Sequence, residues 1–166
     1  MHDELTQVDI DKMKEELQHR IQVLRPQLIE EVKVARSFGD LSENFEYKAA
    51  KREKNRNDSR IRYLENMIAS AVVISAGGGD GVNLYDRVTL HLEDDDEDEV
   101  YQVVTTMRQD ALHGRISKES PVGQALMGHR VGDRVQVAVS PELKYTVEIR
   151  SIEKGTDDES LDISSY

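Results

Sequence analysis

Residues 47–71 read YKAAKREKNRNDSRIRYLENMIASA. Tyr47, Ala50, Lys54, Asn57, Ile61, Leu64, Ile68 and Ala71 follow one another at alternating steps of three and four, a heptad seam that an α-helix gathers on one face. Lys54 and Asn57 are polar members of that seam; such residues weaken packing and fix register. A helix with one apolar seam needs a partner, and the sequence supplies one upstream. Ile10, Met13, Leu17, Ile21, Leu24, Leu28, Val32 and Ala35 follow one another at steps of 3, 4, 4, 3, 4, 4 and 3, which predicts a helix over about 9–36. Pro26 falls inside it and predicts a kink or a local adjustment near Gln22, because proline donates no N–H and its ring meets the carbonyl four residues earlier. Two seams of similar length joined by a short break predict an antiparallel helical hairpin over 1–75, with its tip at about 37–45.

Downstream the pattern changes. Residues 75–81, SAGGGDG, are rich in glycine and read as a linker over 76–81. Beyond them the apolar period becomes two. Val88, Leu90 and Leu92 precede, and Val100, Val103 and Val104 follow, the acidic run EDDDEDE of residues 93–99, as in a hairpin around a solvated loop. Further strands are predicted over 134–139 and 144–152 around Ser140, Pro141 and Glu142. A short helix is expected within 120–128, opened by Pro121 and closed by Gly128. The expected class is therefore α+β: a coiled-coil hairpin, then a small antiparallel sheet with one short helix over 82–154. An acidic tail over 155–166 is expected to be disordered.

Composition narrows the chemistry. Cysteine is absent, which excludes disulfides, thiolate metal sites and cysteine nucleophiles. The N-terminal residues lack the basic and apolar regions of a signal peptide, and no apolar run approaches the ~20 residues of a membrane span, so a cytoplasmic protein without a membrane partner is expected. The formal charge of −11 is local in origin. The run at 93–99 and the tail acids Asp157, Asp158, Glu159 and Asp162 account for it, and the remaining acids balance the 22 basic residues.

At the bend, residues 38–47 read FGDLSENFEY and contain both phenylalanines of the chain. Asp40 and Glu43 stand three residues apart. One reading is a capping box closing the start of the second helix. The other is a carboxylate pair at an exposed tip, able to share a divalent cation if a partner supplies further ligands, since two carboxylates alone are a poor Mg²⁺ site. Lys48, Lys51, Arg52, Lys54, Arg56, Arg60 and Arg62 follow, either as a solvated face with internal ion pairs or as a basic track for a phosphate backbone. The acidic run does not match a calcium loop, because Glu99 and Thr105 stand where glycine and glutamate are needed. His2, His19, His91, His113 and His129 show no ligand spacing, and no nucleophile elbow or P-loop occurs.

Two segments carry a resemblance. Ala35–Glu53 contains A-R-x-x-G-D-L-S-E-N-x-E-Y-x-A-A-K-R-E, and residues from Ile116 read I-S-K-E-S-P-V-G-Q-A-L-M-G, followed by Val131-Gly132-Asp133. In this order they resemble the signatures of the Gre family (GreA/GreB) of bacterial transcript cleavage factors, over about residues 5–154. The resemblance implies an accessory factor, not an enzyme, that is monomeric when free and acts with RNA polymerase on the RNA 3′ end of backtracked complexes. Its coiled-coil tip would enter the secondary channel and stimulate the polymerase's own Mg²⁺-dependent cleavage, with Asp40 and Glu43 as catalytic carboxylates sharing a Mg²⁺ that the free protein does not hold tightly. Tyr47, Lys51 and Arg52 would contact RNA or the channel wall. Residues 82–154 would form an FKBP-like docking module, with Glu119, Ser120 and Pro121 in its polymerase-docking loop. The alternative is a Gre-like inhibitor that occludes the channel without cleavage. A prolyl isomerase is disfavoured, because residues 82–154 lack the Phe and Trp that line an apolar pocket.

Overall fold

The computed structural model describes residues 4–39, 43–75, 77–158 and 160–164. It divides into two units, one of Ile10–Ala71 and one of Glu4–Asp9 with the chain from Val72 onward.

The first unit is the helical hairpin. Helix α1 (Gln7–His19) passes into a π-helical segment, Arg20–Leu24, and then into α2 (Arg25–Arg36); α3 spans Phe45–Ser70. Both predicted seams face inward: Ile10, Met13, Ala35, Asn57, Ile61 and Leu64 are buried, and the other seam positions are half-buried. Full burial of a side chain such as Ile61 or Leu64 contributes roughly 1.5–3 kcal/mol. The disturbance expected near Gln22 takes the form of the π-helical segment, Arg20–Leu24. Pro26 sits in the first turn of α2, where a missing N–H costs nothing. The turn before it widens, so that the Arg25 N–H reaches back five residues to the Arg20 carbonyl.

That carbonyl has a second use. Asn57 Nδ2 donates to it at 3.3 Å, while Arg20 Nη1 donates to Asn57 Oδ1 at 2.8 Å. Glu16 accepts from Arg60 Nε and Nη2 at 2.7 and 3.1 Å and from Arg20 Nε at 2.7 Å. Burial pushes the Glu16 carboxyl up, but the hydrogen bonds and charges of Arg60 and Arg20 outweigh it and hold the group below its ordinary 4.5. The polar layer thus ties α1 to α3 at one register.

In the second unit, β1 (Glu4–Leu5) and β2 (Val72–Val73) pair in parallel. A five-stranded sheet follows in the order β5-β4-β3-β7-β6, from β3 (Arg87–Leu92), β4 (Glu97–Val104), β5 (Arg115–Ser117), β6 (Arg134–Ala138) and β7 (Lys144–Glu153). Four strands are antiparallel as expected; β5 is parallel to β4 and too short, at three residues, to show a period in sequence. Val88, Leu90, Val103, Val135, Val137, Val147 and Ile149 point to one face, which α4 (Pro121–Leu126) covers with Leu126. Gly123 is required there: a Cβ would stand 2.2 Å from the Ser117 carbonyl.

Three segments differ from their sequence reading. Glu97–Glu99 are strand rather than loop, because His91 lies opposite Asp98 and bonds it at 2.7 Å across the ladder; Glu93 is held in a fork by Arg134 at 2.6 and 2.7 Å. At the end of the glycine run, Gly81 is packed, with any Cβ 2.7 Å from the Gly128 carbonyl. The tail residues 155–158 and 160–164 make specific bonds. Gly155 N–H donates to Asp86 Oδ1 at 3.0 Å, Asp157 pairs with Arg108 at 3.1 Å, and Leu161 packs on Leu84, Tyr85 and Val104.

Candidate functional site

Helix α2 ends at the bend because its last carbonyls find short-range donors. Ser37 N–H and Phe38 N–H donate to Val34 and Ala35 at 3.1 and 3.2 Å, and Ser37 Oγ donates to Val34 O at 2.5 Å. Gly39, at φ +134°, takes the left-handed region that glycine enters freely. Asp40 lies outside the described residues.

Helix α3 opens on Asn44. Its side-chain oxygen accepts from Tyr47 N–H at 2.9 Å, and its amide donates to the Ala35 carbonyl at 2.6 Å. One residue therefore caps α3 and ties it to α2. This corrects the capping-box reading: Glu43 precedes the N-cap, so it cannot be the third helical residue that such a box requires. Its carboxylate is exposed. With Phe38, Asn44, Phe45 and Glu46 it lines an open concavity of about 650 Å³.

Beside it the basic residues separate into two groups. Tyr47 lies between Arg36, 5.4 Å from its ring centre, and Lys51 at 5.9 Å. A hydrogen bond from Arg36 and the charges of Lys51 and Arg36 hold its hydroxyl below the ordinary 10.0. Lys48 stands 5.7 Å from the Phe45 ring, and Arg52 is exposed. Farther along α3 the cations serve the hairpin itself: Lys54 pairs with Asp58 at 3.0 Å, Arg56 with Glu53 at 3.1 Å, and Arg60 with Glu16. Arg62, still farther along, is exposed and donates to Ser59 Oγ at 3.2 Å.

The predicted docking residues lie together at the start of α4. Ser120 caps that helix, accepting from Gly123 N–H at 3.1 Å and donating to Ser117 O at 2.6 Å. Pro121 occupies its first turn, and Glu119 N–H donates to Ser117 Oγ at 3.1 Å with the side chain exposed. Ser120 and Pro121 shape the loop, and Glu119 is the member free to face a partner.

Sequence reasoning missed one cluster. Arg108 is fully buried and pairs with Asp9 at 2.8 Å and Asp157 at 3.1 Å, donates to the Asp158 carbonyl at 2.9 Å, and overlies the Tyr85 ring at 5.7 Å. Burial, with the Asp9 charge, pushes the Tyr85 hydroxyl up to about 12. Nothing local marks Arg108, since its partners lie 99 and 49 residues away along the chain.

Among the described residues no three His, Cys, Asp or Glu side chains come together as a metal site, and no helix is long and apolar enough to cross a membrane. The family models "Transcription elongation factor, N-terminal" and "Transcription elongation factor, GreA/GreB, C-term" match residues 4–73 and 77–154. Transcription elongation factor GreA of Staphylococcus carnosus is 39% identical over 150 residues, covering 90% of this chain and 94% of the relative. GreA of Geobacillus kaustophilus is 43% identical over 135 residues, covering 80% and 85%. The crystal structure of GreA factor homolog 1 (Gfh1) of Thermus thermophilus is 27% identical, with a TM-score of 0.43 over 93% of this chain and 100% of that one.

Proposed function

Because the chain belongs to the GreA/GreB family of transcription elongation factors, we propose that it binds RNA polymerase, places its helical tip in the secondary channel and stimulates cleavage of backtracked RNA. The observation that carries this reading is Glu43: an exposed carboxylate at the bend of a two-helix hairpin, relieved of any capping duty by Asn44. Capping was the alternative use for that acid, and the cap is already made.

Asp40 and Glu43 are the residues that would hold a Mg²⁺ ion in the assembled complex. Their number fits an ion held jointly, since Mg²⁺ takes one or two carboxylates together with waters and substrate phosphate oxygens. Such an ion supplies an activated water and neutralises charge on the phosphodiester under attack. The chain's own part is delivery. Arg60 and Asn57 lock the two helices in register, Asn44 fixes the entry into α3, and Tyr47, Lys51 and Arg52 offer a cationic approach to RNA phosphates. Glu119, with the loop that Ser120 and Pro121 shape, is the proposed contact to the polymerase.

The test is a cleavage assay on stalled, backtracked complexes. Wild-type protein is expected to shorten the transcript, and the double variant Asp40→Asn, Glu43→Gln to bind the polymerase without shortening it. Undiminished cleavage by the double variant refutes the carboxylate role. Suppressed elongation with no shortening by the wild type would make the protein a channel-occluding inhibitor.

A further inference from the structure

Phe38 and Phe45 are the chain's only phenylalanines, and they are 65% and 80% exposed. Both line the concavity at the bend, with Glu43, Asn44 and Glu46 as its other walls. Lys48 stands beside the Phe45 ring, and Arg36 and Lys51 flank Tyr47. Alternation of open rings with cations is the chemistry of single-stranded nucleic-acid sites, in which rings stack on bases and cations take the phosphates.

We propose that Phe38 and Phe45 form a stacking platform for one unpaired base of single-stranded RNA, with Lys48 taking the adjoining phosphate. The polar walls favour a base over an apolar protein surface. A base presents amino and imino hydrogens that the Glu43 or Glu46 carboxylate can accept, whereas an apolar partner would bury these carboxylates unpaired at a cost. Stacking is tolerant of base identity because every base has a π-face, so the platform holds the strand without selecting a sequence. This inference rests on the proposed function, in that the base it receives is one extruded from the polymerase.

The experiment uses a bacterial RNA polymerase stalled and backtracked on RNA that ends in 2-aminopurine, and a matched complex whose 3′ nucleotide is abasic. The full-length chain is compared with Phe38→Ala, Phe45→Ala and the double variant, all of which should fold, since both rings lie outside the core. Each substitution is expected to slow cleavage about tenfold on the 2-aminopurine end, the scale of one lost base–ring stack. On the abasic end the same substitutions are expected to change the rate less than about twofold, and 2-aminopurine fluorescence should fall on adding wild type but not the double variant. Equal losses on both ends would mean that the rings touch protein and would overturn the platform, as would rates that do not change at all. If the wild type stimulates no cleavage, the proposed function fails. The fluorescence then decides the platform alone: quenching by wild type upholds it, and no quenching overturns it.

Discussion

Arg108→Met removes the cation that Asp9 and Asp157 share while keeping an unbranched apolar stem in place of the arginine's own. Arg108 and Asp9 expose no side-chain surface, and Asp157 exposes 16%. Deleting one partner of a buried ion pair costs about 3–5 kcal/mol, because the other charge stays behind uncompensated. Asp9 retains one donor, the Thr6 N–H at 2.9 Å, and lies in the first turn of α1, where the helix end favours negative charge. Those two features place the expected loss near the lower bound, about 3 kcal/mol. For a unit of about 100 residues that lowers the unfolding midpoint by roughly 12–24 °C. Calorimetry, with near-ultraviolet dichroism of the tyrosines as a second probe, reads the shift. Asp9→Asn in the Arg108→Met background should recover part of the loss, since neither charge then remains buried alone. Asp157→Ala alone should cost about 1 kcal/mol, its carboxylate being partly solvated. A midpoint change under about 4 °C for Arg108→Met, or a double variant no more stable than the single, would refute the assignment of Arg108 as the keystone of this cluster.

Asn44→Ala should destabilise the hairpin by about 1 kcal/mol through the lost cap and speed hydrogen exchange at the Tyr47 amide. Unchanged protection at that amide would show that another group caps α3. Glu16 carries the acid sensitivity of the hairpin. Its folded pKa lies below the ordinary 4.5, so the stability it contributes is present above that value and is lost as pH falls through the lowered one. Helicity followed during acid titration should show this loss, and Glu16→Gln should flatten the curve; an equally steep profile in the variant would place the sensitivity elsewhere.

Periodicity is a local property, and the features that rest on it were legible in the sequence. The steps of three and four from Ile10 to Ala35 and from Tyr47 to Ala71 determined the hairpin. The alternation in 88–92, 134–138 and 144–152 determined most of the sheet, and Pro26 announced a break in the first helix. The order of the two motifs determined the family. The tertiary structure alone decided how the polar and charged residues are used, because pairing depends on what folding brings close. It widened the turn before Pro26 and gave the Arg20 carbonyl a second donor in Asn57, 37 residues away. It spent Arg60 on Glu16 and left Lys48 and Lys51 at the bend. It bound the acidic tail to Arg108, where composition suggested only a solvated end. It also moved the helix cap from the Asp40–Glu43 pair to Asn44. A capping pattern in sequence names residues able to satisfy free N–H groups, but only the backbone path decides where the helix begins. Here it begins one residue after Asn44, and that leaves the carboxylate of Glu43 open to solvent.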